Sequence, residues 1–229
     1  MTLRMQGRLA GISYLGVVIF GIIALAYGPG QLIVPKDASA TLENLTARPG
    51  LFYGMIICGI LMNAFFAALL YWLLRILKSY GRRAALLMVF LAMASVPFTI
   101  LAFGHYGALA LSLADGTATV EGVAQTRSSY RYWLLCAIFF WGAWLAPYGW
   151  LAFKSRIFPR FLAVMLMIGS VCYLIDLFGS ILIDGFYGIP FANYITLPAS
   201  IGEIGSCLWL TIFGASAARS EQPGITATA

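Results

Sequence analysis

Two carboxylates, Asp176 and Glu203, stand inside otherwise apolar stretches of this chain. An acid near the centre of a membrane helix costs about 3 kcal/mol to insert, so such residues are seldom idle. Each is seven residues from one end of its stretch, Asp176 before Ile183 and Glu203 after Thr196. In an antiparallel hairpin both would lie on the order of 10 Å below one surface and could meet. Burial and like charge both disfavour a second ionised carboxylate, so a meeting pair would share a proton. The functional reading is a proton-coupled or cation-binding site. The structural reading is an acid hydrogen-bonded to Tyr173, Ser200 or Ser206 that fixes helix packing.

Three further residues are candidates for the same ligand or proton site. His105, the single histidine, would reach the depth of the acids if its helix continues to Leu113, and would be interfacial if the helix ends at Gly104. Asn63 sits mid-stretch, where an interhelical hydrogen bond or a polar path are the two readings. Tyr173 is one turn from Asp176. Arg127 and Arg131 either reach down to one of the acids or snorkel to lipid headgroups.

Other chemistry is poorly supplied. One histidine, two intramembrane acids and no paired cysteines do not define a metal ligand set. Cys58, Cys136, Cys172 and Cys207 all fall in apolar segments and read as small packing residues. No nucleophile and base can be assembled for a hydrolase, and no motif names a cofactor.

The elements that position these residues follow from composition. Of 229 residues, 62% are hydrophobic and 10% charged, and the mean hydropathy is +0.90. Soluble domains are about a quarter charged, so lipid is the expected solvent. Six stretches have the ~20 apolar residues a crossing needs: 9–27, 51–77, 84–113, 133–153, 162–183 and 196–215. The fold class is all-α, a single six-helix transmembrane bundle over 1–215, with a small polar tail over 216–229 expected to be flexible. The first stretch is long for a signal-peptide core and reads as a retained span.

Charge orients the bundle. Arg4, Arg8, Arg75, Lys78, Arg82, Arg83, Lys154, Arg156, Arg160 and Arg219 fall on one side; Lys36, Arg48, Arg127 and Arg131 fall on the other. The positive-inside rule makes the richer side, with both termini, cytoplasmic. The net charge of +6 is thus topological and points to no nucleic acid. In the first long loop, Ser39 or Thr41 is expected to cap a short helix. Pro97, Pro147 and Pro198 would each free a backbone carbonyl within a span. The run Phe139, Phe140, Trp141 and Trp144 encircles its helix, so part of it must face lipid or a lipophilic ligand.

Several stretches resemble a bacterial membrane family known as domain of unknown function 4386. They are Ala10-Gly11-Ile12-Ser13-Tyr14-Leu15, Val34-Pro35-Lys36-Asp37-Ala38-Ser39-Ala40-Thr41, Phe153-Lys154-Ser155-Arg156-Ile157-Phe158-Pro159-Arg160, Tyr173-Leu174-Ile175-Asp176, and Gly202-Glu203 followed by Leu208-Trp209-Leu210. The resemblance implies a six-helix protein of the bacterial inner membrane and places both acids within family motifs. It implies no activity. Two functions compete: a small-molecule or ion transporter or binding protein, and an accessory subunit that packs against helices, lipids or pigments. A lipid-active enzyme is the weakest reading.

Overall fold

A computed structural model describes residues 1–215; the tail expectation for 216–229 lies outside the described residues. Helices dominate, and the described residues contain no β-strand. Six long helices cross the bundle: α1 Leu3–Leu32, α3 Pro49–Leu77, α4 Arg82–Ala114, α5 Val120–Ser155, α6 Arg160–Leu182 and α7 Leu197–Phe213. The short α2, Ala38–Ala47, lies in the first long loop. By length and composition all six long helices suit a bilayer, and the chain is a multi-pass membrane protein.

Caps and breakers set the boundaries. Thr2 accepts from the Met5 amide at the start of α1, and Thr119 accepts from Gly122 at the start of α5. Asp37, not Ser39 or Thr41, caps α2 by accepting from the Ala40 amide. Thr41 instead ties the preceding turn, accepting from Val34 N at 3.0 Å and donating to Asp37 O at 2.6 Å. In α1 the turns Ile22–Tyr27 widen to π-helix. Pro29 follows, which cannot donate to the Leu25 carbonyl and crowds it. Pro198 frees no carbonyl: it sits in the first turn of α7, where a missing N–H is harmless. The third span does not stop at Gly104 but runs unbroken through Pro97 and His105 to Ala114.

Consecutive long helices pack side by side, and α1 packs on α7, so the six close into a ring. In lipid, apolar surface gives little drive for helix association; close van der Waals approach does the work, and small residues permit it. On α1, an added Cβ at Gly7 would meet Ala215 N, and one at Gly11 would meet Thr211 N. Gly214 closes α7 with φ +70, and an added Cβ there would meet Arg4 O. Two apolar clusters fill the ring. One, around Phe66, Leu70, Trp144 and Tyr148, occupies the half nearest the termini. The other, around Phe52, Met55, Phe103 and Tyr106, occupies the long-loop half.

The last hairpin departs from the expected register. Ala199, third residue of α7, packs on Gly169, tenth residue of α6; a Cβ there would lie 2.5 Å from Ala199 Cα. Gly202 likewise faces Leu166 and Gly205 faces Leu162. The helix α6 therefore rises about 16 Å past the start of α7. The intervening segment covers it with two 3-10 turns, Phe186–Gly188 and Ala192–Tyr194. Phe186 packs flat on Gly179 in that cover. Such irregular backbone survives beside lipid only where protein shields it.

Candidate functional site

The register removes the acid pair. Glu203 adjoins Gly202 and so lies level with Leu166, whereas Asp176 is ten residues further along α6, about 15 Å higher. The expected equal depth assumed that α7 begins at the membrane surface; it begins opposite the middle of α6. Asp176 is half-buried and faces the covering segment, where Tyr187 Oη donates to its Oδ2 at 3.4 Å. Tyr187 lies outside the spans, and burial first, then the Asp176 charge, push its phenol above the usual tyrosine range.

Glu203 stands in a different setting. Its Oε1 accepts from Tyr14 Oη at 3.2 Å and its Oε2 from Tyr173 Oη at 3.5 Å. The carboxylate joins α1, α6 and α7 and borders a cavity of about 270 Å³ inside the ring. The aromatic walls are Tyr14, Phe66, Trp141, Trp144 and Tyr173, and the polar groups are Asn63, Ser200 and Glu203. Trp144 is held rigidly, stacked on Tyr148 at 5.1 Å and edge-on to Phe66 at 5.5 Å. Asn63 accepts from Thr99 Oγ1 at 2.7 Å and donates to Gly59 O at 2.8 Å, which fixes α3 against α4 at the cavity wall. The π-helical turns of α1 supply Ile22 and Leu25 to the rim.

The cavity opens sideways. Near the termini α1 and α7 are in glycine-mediated contact. Toward the long loops they part, and Ile22 and Ile204 both border the cavity while remaining 57% and 48% exposed. Deeper than Glu203, the hydroxyls of Tyr148 and Ser206 are buried without a hydrogen-bond partner among the described residues.

Of the candidates read from sequence, Glu203, Tyr173 and Asn63 converge on this cavity; Asp176 and His105 do not. His105 accepts from Trp133 Nε1 at 3.2 Å, on the α4–α5 seam. Sequence reasoning missed Tyr14, Trp141 and Trp144 as site residues. Gly7, Gly11 and Tyr14 share one face of α1 by helical spacing, and the two tryptophans are three apart on α5, so both signals were present. Arg131 borders another pocket, one that neither acid lines.

The chain belongs to the family described as Domain of unknown function (DUF4386), which matches residues 9–214. No curated protein and no solved structure matches the chain.

Proposed function

We propose that this protein binds a small amphiphilic molecule within the membrane, with Glu203 holding its cationic or hydrogen-bond-donating head. One observation carries this reading: a single carboxylate, oriented by two tyrosines, borders an aromatic-walled cavity inside the ring. A cation there gains both from the carboxylate and from the aromatic rings that line the cavity, and both attractions strengthen away from water. The apolar remainder of the wall suits the body of an amphiphile. The lateral gap between Ile22 and Ile204 suits entry from the bilayer.

The orientation that goes with it has both termini in the cytoplasm, in the inner membrane of a bacterial cell. The clustering of basic residues at the terminal end of the bundle supports it.

The test uses benzyltrimethylammonium and its uncharged isostere neopentylbenzene on the detergent-solubilised protein. Ligand binding to the folded state raises Tm with concentration. The cation is expected to raise Tm and quench tryptophan emission, neopentylbenzene to do much less, and Glu203→Gln to abolish the difference. Equal responses to both probes, or an unchanged response in Glu203→Gln, would overturn the reading.

A second reading, accessory subunit of a membrane complex, is favoured by the aromatic cover between α6 and α7. Phe191 and Tyr194 are each 70% exposed there. It calls for a stoichiometric partner chain that stays bound after mild solubilisation and is lost in Phe191→Ser/Tyr194→Ser.

A further inference from the structure

The long-loop end of the bundle carries four basic residues, and three of them, Lys36, Arg127 and Arg131, border a single pocket. They come from two separate parts of the chain. Arg127 and Arg131 are four apart on α5 and so share one helix face. Lys36 comes from the turn before α2, in the left-handed backbone region at φ 62. That turn is held shut by the two hydrogen bonds of Thr41. Like charges brought together this way repel unless a counter-charge sits among them. Among the described residues no carboxylate takes that place. Asp37, the nearest acid in sequence, is occupied with capping α2.

The rest of the pocket suits an oxyanion. Ser128 and the phenols of Tyr106 and Tyr130 border it, which adds neutral donors to the cations. The two rings pack at 4.4 Å and are themselves buried, so their positions are fixed by the core. Two guanidinium forks with an ammonium beside them offer more donors than the two oxygens of one carboxylate can take, and the several oxygens of a phosphate can use them. The volume, about 450 Å³, accommodates a headgroup rather than a bare ion.

Depth points the same way. Tyr106 is 24 residues along α4 from Arg82, and Tyr130 is 25 residues from Ser155 along α5. At 1.5 Å per residue both lie roughly 36–38 Å from the opposite ends of their helices, just beyond a hydrocarbon core of about 30 Å. That is the level of lipid phosphates. Simple snorkelling would spread the three side chains over separate lipids; here the fold draws them into one concavity beside apolar Pro29 and Ile33.

We infer that Lys36, Arg127 and Arg131 form a phosphate-binding site at the long-loop membrane surface, which takes the phosphate group of a phospholipid headgroup or a free phosphate. The site shares no residue with the Glu203 cavity and stands or falls separately.

The experiment uses the full chain in detergent micelles. In one arm, native mass spectrometry measures retention of added phosphatidylglycerol. In the other, Tm is followed with sodium phosphate against sodium chloride at equal ionic strength. Arg127→Gln/Arg131→Gln is compared with wild type and with Arg48→Gln, a basic residue of the same end that does not border the pocket. The expected result is one retained phosphatidylglycerol per chain, weakened at least about tenfold in the double variant, as loss of charge-assisted hydrogen bonds requires. Arg48→Gln should match wild type. Arg127→Lys/Arg131→Lys, which keeps the charge and guards against misfolding, should bind at an intermediate level. A phosphate-specific rise in Tm that depends on the same arginines identifies free phosphate as a ligand; lipid retention without it identifies the headgroup. Lipid retention and Tm that are both indifferent to the arginine pair would overturn the site.

Discussion

Tyr14 Oη donates to Glu203 Oε1 across 3.2 Å, and this bond ties the first long helix to the last. It sits where the α1–α7 seam changes character. Nearer the termini the seam is closed by Gly7 and Gly11; beyond it the helices part and the cavity begins. The bond is thus both a staple of the ring and the floor of the proposed binding site. Its two roles have separable consequences.

Tyr14→Phe should cost the fold about 1–2 kcal/mol, because it leaves a buried carboxylate oxygen with one donor fewer. Glu203→Gln should cost a similar amount or less, since an amide oxygen still accepts. A double-mutant cycle on Tyr14→Phe and Glu203→Leu, in which leucine removes the acceptor that glutamine would keep, read by denaturation in mixed micelles, should give a coupling of roughly 1 kcal/mol. Strictly additive losses would mean that the bond contributes nothing to closing the ring.

The glycines of the seam should be far less tolerant than a glycine with open space at its Cβ position. A Cβ at Gly11 would meet the backbone nitrogen of Thr211 on α7, so Gly11→Val must push the helices apart, at a cost of ~2–3 kcal/mol. At Gly54, in the middle of the first turns of α3, nothing lies within 4 Å of an added Cβ. Gly54→Ala should therefore stabilise by ~0.5–1 kcal/mol through helix propensity alone. Thermal melts of the two purified variants check both signs at once.

The long apolar runs made the six crossings legible in the sequence, because lipid demands them and little else in a short chain supplies them. Glu203, Tyr173 and Asn63 were legible for a related reason: polar groups in such runs need partners. The hairpin register was not. Nothing in the stretch from Ile183 to Thr196 marks where the polypeptide stops being a surface loop and starts to descend as cover for α6. Its aromatic and glycine-rich composition fits an interfacial belt equally well. The register is set by Gly169 against Ala199, and a contact between two small residues leaves no periodic trace. The face of α1 that carries Tyr14 was legible, but its pairing with Glu203 was not, because the partner is 189 residues away, across the ring closure.

Topology can be tested without knowing any ligand. In a variant lacking Cys58, Cys136, Cys172 and Cys207, single cysteines are placed at exposed Ser39 and Ser79, on opposite ends of the bundle. With the termini in the cytoplasm, a membrane-impermeant maleimide added to spheroplasts should label Ser39→Cys at once and Ser79→Cys only after lysis. The reverse pattern would invert the orientation, and equal labelling of both in intact spheroplasts would contradict the six crossings.

Asp176 and Glu203 should behave as strangers. At about 15 Å apart along the hairpin they share no partner: one holds Tyr187, the other Tyr14 and Tyr173. Substitutions that far apart normally add to within ~0.5 kcal/mol. Asp176→Asn only weakens a single long hydrogen bond at a half-buried position, so its own cost should be below about 1 kcal/mol. Combined with Glu203→Gln it should bring no coupling beyond that ~0.5 kcal/mol margin. It should also leave the response to benzyltrimethylammonium intact, because Asp176 does not border the cavity. Strong coupling in the cycle, or loss of the cation response in Asp176→Asn alone, would mean that the two carboxylates communicate after all. Since their separation follows from the Gly169–Ala199 contact, such a result would place the error in the hairpin register itself.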